Sequence, residues 1–502
     1  MKYFIIIAGF ALFALSSCED FLEIPSETDL SATTFFKTQS DFEKAVNGAY
    51  APLRTLYVSG PNSATGAWIM GEMHSDNTRY IFNQNYRAGI DQEQTADFIY
   101  DPASAAPTGR YQTNYLVIAR ANDVISRIDD VEFDAAAKDV IKGEAYFLRA
   151  LCYFDLVQYF GEIPLHISPA TSFDDVALPL SSVDEVYDQI IEDASQAAAL
   201  LPVKSNQQAG RATSGAANTL LGNVYVVLGD YALAENALKE VVNSNEYSLL
   251  ANYADIFDPA NKNHTESVFE VQYLEGTEGY ASNFMYSFFP QPITADELST
   301  LMGNYNVFPE NVQALNQDGF NIPTPDLIAA YKEGDLREDA SIGYGMANGN
   351  MYPFILKYLN PHSTAGITND NWPIYRYSEV LLLLAEALNE QNKTAEALEY
   401  LNMVHSHPRT GLSPISASDQ GQLRELILDE RRVELAFENK RWLDLVRAGK
   451  VQEVISSYGE NVKANPQDYY FPEGFNPVPS SFTDFRTTFP LPASEALLNP
   501  NF

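Results

Sequence analysis

Glu72, a few residues ahead of Ser75-Asp76-Asn77, is the carboxylate in this chain best set for acid–base work. A glycosidase needs two such groups flanking one bond, and although Asp and Glu are plentiful, no second carboxylate is singled out as its partner. The alternative reading is a carboxylate that holds its own loop by accepting hydrogen bonds. His405 and His407 stand two apart and invite a metal, but a site needs three or four ligands and the sequence supplies no third. The other reading is a polar loop after a helix. The chain has no Gly-x-Ser-x-Gly elbow, no phosphate-binding loop and no metalloprotease helix. No cofactor, metal ligand or catalytic residue is assigned.

Binding chemistry is better represented. Sugar rings carry apolar C–H faces that stack on aromatic rings, and hydroxyl edges that pair with amides, carboxylates and guanidinium groups. Two stretches without helical or strand periodicity hold that mixture. The first, Ser59 to Arg110, offers Trp68, Asp76, Asn77, Arg79, Tyr80, Asn83 and Tyr86. The second, roughly Glu246 to Trp372, offers Tyr280, Asn283, Tyr286, Phe289 and Tyr305, with Phe288 among them. Irregular stretches this long in a compact protein are usually functional. The opposing reading for each ring is loop core. Trp372 and Trp442 lie in helical text and are read as structural.

The elements that must carry these loops are helical. Ser40-x-x-Glu43 and Ser182-x-x-Glu185 are spaced as capping boxes, the first leading into Phe42, Val46, Ala49 and Leu53 at helical spacing. Helical text resumes at Tyr115–Ile128 and at Val140–Leu165, where Phe147, Tyr153, Phe154 and Tyr159 read as packing between helices. Leu221-Gly222-x-x-Tyr225, Gly229-Asp230-Tyr231, Ala234 and Leu238 follow a tetratricopeptide pattern, and a second unit spans Arg376 to His405 with Ala385, Ala387, Ala395 and Ala397. Asp419 to Lys450 reads as one helix, capped by Asp419 and Gln422 and stopped by Gly449. Leu426, Val433, Phe437 and Leu445 join its apolar stripe. Glu438, Arg441, Asp444 and Arg447, three apart, are expected to pair in series along it.

That last segment also carries a resemblance. ERRVELAFENKRWLDLVRAG, Glu430 to Gly449, resembles the C-terminal signature of the SusD/RagB family of outer-membrane nutrient-binding lipoproteins. FFKTQSDFEKAVNGAYAPLR, the Val140–Leu165 segment, Leu327–Ile342 and the closing FPLPASEALLNPNF resemble further family segments in order. One departure occurs: where the family reads N-x-V-R-x-R-A-G, this chain has Asn402-Met403-Val404-His405-Ser406-His407-Pro408-Arg409. The resemblance implies a mostly α fold, a superhelix of tetratricopeptide-type pairs with large irregular ligand-binding insertions and few short strands. The scaffold would cover 31–245 and 373–450, the loop-rich insertion 246–372, and an extended tail 451–502. It also implies a protein that captures a nutrient, an oligosaccharide first and a peptide second, and delivers it to a SusC-like TonB-dependent transporter without altering it. Family loops vary, so no binding residue carries over by motif.

Composition and leader agree with an exported protein. Lys2 and the apolar Tyr3–Leu15 run form a signal peptide over 1–17, and Leu15-Ser16-Ser17-Cys18 has the form of a lipobox with Cys18 lipidated. The acidic text after it, CEDFLEIPSETDL, fits cell-surface display in the resembling family. The formal charge of −36, with 67 acidic against 31 basic residues, excludes nucleic acid and a basic membrane patch as partners. A protein adaptor using a helical groove and a surface glycoside hydrolase or lyase are the rival function classes.

Overall fold

The structure, a computed structural model, describes residues 35–58, 66–85, 89–313 and 319–502. The leader, Cys18 and Tyr86 lie outside these residues. The framework is helical, and its main members are α1 (Gln39–Tyr50), α2 (Ala105–Arg127), α3 (Ala135–Phe160), α4 (Val183–Leu200), α5 (Ser214–Leu228) and α6 (Tyr231–Asn243). After the insertion come α8 (Tyr377–Glu390), α9 (Thr394–His405), α10 (Gln420–Glu434), α11 (Arg441–Arg447) and α12 (Val451–Ala464); α7 (Ala295–Asn304) lies within it. Each of α2 to α6 packs on the next, and α6 then packs directly on α8, so the helical stack continues across the insertion.

Local chemistry explains these elements. The Ser182/Glu185 capping box is formed, with Ser182 N donating to Glu185 Oε2 at 2.9 Å and Glu185 N to Ser182 Oγ at 3.3 Å. The first box forms two residues earlier than expected: Thr38 and Asp41 close it, and Ser40 lies inside the helix. Gly222 faces Leu238, where a Cβ would come within 2.4 Å of the leucine, so only glycine lets α5 and α6 approach this closely. Gly229, with φ +78°, turns the chain between them. Helix α2 begins ten residues before the expected Tyr115, at Ala105, because Pro107 is tolerated in a first turn.

The expected single helix over 419–450 is two. Phe437 and Asn439 have φ of +69° and +63°, and these left-handed residues separate α10 from α11. The break sends Glu438 inward, where it pairs at 2.8 Å with both Arg376 and Lys357 instead of with Arg441. Arg441 bonds Asp76, and only Asp444 and Arg447 pair along the helix as the spacing suggested, at 2.8 Å. The tail also differs from the expectation, since 451–464 is helix α12; beyond it the chain wraps back over the first half, Phe482 N reaching Asp97 O and Phe489 N reaching Tyr159 O.

Among the described residues the strands form three two-stranded antiparallel sheets. β1 (Ser267–Val271) pairs with β4 (Trp372–Arg376) and ties the two ends of the insertion together. β2 (Ile342–Ala347) and β3 (Asn350–Ile355) make a hairpin, and the third sheet joins Thr78–Arg79 to Ile322–Pro323. At the end of β4, fully buried Arg376 bonds Glu266, Glu434 and Glu438. Arg409 takes up Glu266 and Glu434 from the other side, and His405 Nδ1 sits 2.6 Å from Glu430. The corner that departs from the family text is thus held by a network of buried ion pairs.

Candidate ligand-binding site

The first irregular stretch is turned inward. Trp68 is 1% exposed and meets Phe288 edge-on at 5.2 Å. Asp76 is held by Arg441 (Nε to Oδ1, 2.8 Å) and Arg432 (Nη2 to Oδ2, 2.7 Å). Burial alone would raise the Asp76 carboxyl; the two guanidinium groups outweigh it and hold the group below its ordinary range. Asn77 donates to Glu72 Oε2 at 3.2 Å and accepts from Arg432 Nε at 2.9 Å. Arg79 and Tyr80 both reach Asp97, at 3.4 and 2.8 Å. These five side chains, all buried, therefore have no surface to offer a ligand here; their partners are in the core. Asn83, half-buried, bonds Asn85 N and, at 3.5 Å, Gln291.

Glu72 takes the loop-holding role. It is fully buried in a π-helical turn, Ile69–Met73, and accepts from Asn77 and from Asn439 N at 2.9 Å. Burial pushes its carboxyl up to about 7. His405 and His407 diverge, His405 to Glu430 and His407 to the turn at Arg409, and no group of three metal-capable side chains gathers among the described residues.

The second stretch divides. Phe289 is fully buried, and Tyr286, 7% exposed, gives its hydroxyl to His362 Nε2 at 2.7 Å; both belong to the core. Asn283 is half-buried at the start of a short 3-10 turn. Tyr305, half-buried, packs on Phe354, and its hydroxyl accepts from Tyr344 N at 2.8 Å. Tyr280 stays at the surface, 47% exposed, with the Arg54 guanidinium 5.0 Å from its ring centre, and Leu274 stands next to it at 58%.

The sequence reading missed the rest of this face. Phe308 is 75% exposed, and Tyr344, Met346 and Met351 project from the outer side of the β2–β3 hairpin. The signal was present in the β2 text IGYGMA. Alternating glycines mark the inner face, because a Cβ on Gly345 would come within 2.2 Å of Leu301 on α7. Tyr344 and Met346 must then point outward, Met346 directly opposite Met351. Backbone bonds join the parts: Ser363 N donates to Glu275, Glu310 N to Ser363 O, and Ala365 N to Glu310 O. Exposed aromatic and thioether side chains thus stand at Tyr280, at Phe308 and on the outer side of the hairpin, each on a packed segment.

Comparison with known proteins follows from this geometry. The SusD family profile matches residues 340–502, and a profile described as starch-binding associating with outer membrane matches 20–226. SusD-like protein P38 of Formosa agariphila is 30% identical over 478 residues, covering 89% of this chain and 91% of that protein. The chain belongs to the SusD family. SusD-like protein P25 of the same organism is 26% identical over 99% of this chain and 97% of its own. Among solved structures, a laminarin-binding SusD-like protein superposes with a TM-score of 0.72 at 24% identity, covering 92% of this chain and 98% of that one. The surface glycan-binding protein A of Bacteroides fluxus gives 0.70 at 24%, over 83% and 90%. A SusD homologue from Bacteroides thetaiotaomicron gives 0.77 at 20%, over 94% and 97%. These likenesses establish the SusD fold, and no described helix is long and apolar enough to cross a membrane.

Proposed function

We propose that this SusD-family chain captures a glycan on the face formed by Leu274, Tyr280, Phe308 and the β2–β3 hairpin. It then passes the glycan unaltered to a SusC-like TonB-dependent transporter. The observation that carries the reading is the set of rings and thioethers held out to solvent on a packed frame: among the described rings Phe308 is the most exposed, at 75%. Open rings of this kind suit the C–H faces of a sugar chain, and the amides and carboxylates between them suit its hydroxyls. The laminarin-binding and surface glycan-binding neighbours support a carbohydrate ligand. Anchoring through lipid on Cys18 would hold the chain at the outer membrane, in keeping with the wording of the N-terminal profile. Binding without turnover fits the Glu72 geometry, which spends that carboxylate on Asn77 and Asn439 N.

Isothermal calorimetry of the full mature chain against neutral glycans tests this. A glycan should bind, and Phe308→Ala should weaken it about tenfold. Silence of every glycan while peptides bind, or hydrolysis of any polysaccharide, would overturn the proposal.

A further inference from the structure

The β2–β3 hairpin sets two thioethers side by side at the surface. Asn348 and Gly349, with φ of +49° and +78°, form its two-residue turn, and a turn of this kind fixes the register of the strands. Met346 on β2 therefore stands directly opposite Met351 on β3, and side chains so placed lie roughly 5 Å apart at Cβ. Neither has a way inward. The inner side is filled, with Ala347 fully buried and Gly345 closed off by Leu301. Asn348 N donates to Glu297 Oε1 at 2.9 Å, which pins the tip of the hairpin to α7. Met346 and Met351 are 45% and 59% exposed, whereas Met70, Met73, Met285 and Met302 are each exposed by 1% or less. Met403, 44% exposed, belongs to α9, outside the hairpin.

Exposure decides which thioethers meet a dissolved oxidant, because the sulfur lone pair must reach it. With a hydroperoxide, that lone pair attacks the hydroxyl oxygen and forms the new S–O bond. The O–O bond breaks onto the departing oxygen, and the hydroxyl proton moves to it. Sulfur is thereby oxidised, and the hydroperoxide is reduced to water or an alcohol. A thioether is apolar and polarisable, which suits the C–H face of a sugar. A sulfoxide is polar and chiral, and its oxygen holds water that must be stripped before a sugar ring can lie on it. We propose that Met346 and Met351 form a modification site, where hydroperoxides convert the pair to sulfoxides and so weaken glycan capture while leaving the fold intact. The proposal rests on the reading of this face as the glycan site. Tyr344 lies on the same side of β2 as Met346, and its backbone N–H donates to the hydroxyl of Tyr305, three residues before Phe308. The pair is thus joined to the segment that carries the most exposed ring. The added oxygens stay in solvent, so the packing beneath is not disturbed. Reduction of the sulfoxides restores the apolar surface, which makes the change reversible.

The test treats the full mature chain with hydrogen peroxide, locates the added oxygens by peptide mass spectrometry and measures glycan binding by calorimetry. Met346 and Met351 should gain oxygen at least about tenfold faster than the four buried methionines. The oxidised chain should bind its glycan about tenfold more weakly, with an unchanged denaturation midpoint, and methionine sulfoxide reductase should restore the affinity. Met346→Leu with Met351→Leu keeps an apolar surface that cannot be oxidised. That double variant should bind within about twofold of wild type and hold its affinity under peroxide, even though Met403 is still oxidised. Oxidation of the pair no faster than of the buried methionines would overturn the proposal. So would an equal loss of affinity in the peroxide-treated leucine variant, which would place the sensitive group elsewhere. Silence of the untreated chain toward every glycan would remove the glycan face and this proposal with it. Affinity that survives complete oxidation of the pair would remove this proposal alone.

Discussion

The stretch from 66 to 85 and the insertion from 246 to 372 carry the same mixture of rings, amides and charges, and both read as ligand-binding loops. In the first, Trp68, Asp76, Asn77, Arg79 and Tyr80 are all buried; in the second, Tyr280, Phe308, Tyr344, Met346 and Met351 face solvent. The difference lies in what waits for them. Arg432 and Arg441, more than 350 positions away, reach Asp76, and Asp97 takes Arg79 and Tyr80. The hairpin has glycines on its inner side, while Tyr344, Met346 and Met351 stay exposed on its outer one. Composition marks polar aromatic text, but distant partners decide whether it becomes core or surface.

That contrast is open to breaking. Trp68→Ala should cost about 3–5 kcal/mol in chemical denaturation, as expected for a large ring lost from a close-packed core. Asp76→Asn should cost about 3–5 kcal/mol, because it leaves two buried guanidinium groups without their carboxylate. Neither should weaken glycan binding in the protein that remains folded. A selective loss of affinity with undiminished stability would instead return the first stretch to the binding face.

The Glu72→Gln variant sharpens the comparison through pH. The folded carboxyl titrates near 7 against an ordinary value of 4.5, so between those pH values the folded state holds more protons than the unfolded one. Wild-type stability therefore falls as pH rises from about 4.5 to about 7, and is flat above that range as far as this group is concerned. The shift corresponds to a change on the order of 3 kcal/mol. Glutamine cannot titrate, so the variant should lack this slope, whatever constant offset the new amide adds. Denaturation midpoints from pH 4 to 8 measure it; parallel pH profiles for the two proteins would show that Glu72 is not held as described.

On the outer face the expected effects are smaller and lie in affinity alone. Phe308→Ala should weaken a bound glycan by about 1.4 kcal/mol and Tyr280→Ala by about the same or less, with stability changed by under about 0.5 kcal/mol. A large fall in stability would mean that these rings belong to the core after all.

Much of the frame was legible in local text. The Ser182/Glu185 box and the Gly229 turn depend on residues a few positions apart, and the Gly222–Leu238 approach lies within one helical pair, where spacing carries the physics. The break at Phe437–Asn439 was not legible, because it exists to bring Glu438 to Arg376 and Lys357, which come from other elements. The candidate site was legible only as ring types: Tyr280 lies at the surface, whereas Trp68 and Phe289, chosen on the same ground, are core. The glycine alternation of β2 would have exposed Tyr344 and Met346, had period two been weighed in a stretch judged irregular.

The most direct test of the account is a crystal structure of the full mature chain with whichever neutral glycan it binds. Sugar rings should lie against Tyr280, Phe308 and the outer side of the β2–β3 hairpin, with Asp76 still on Arg432 and Arg441. A glycan seated instead against Trp68, Asp76 and Arg79, with those ion pairs opened to admit it, would contradict the account.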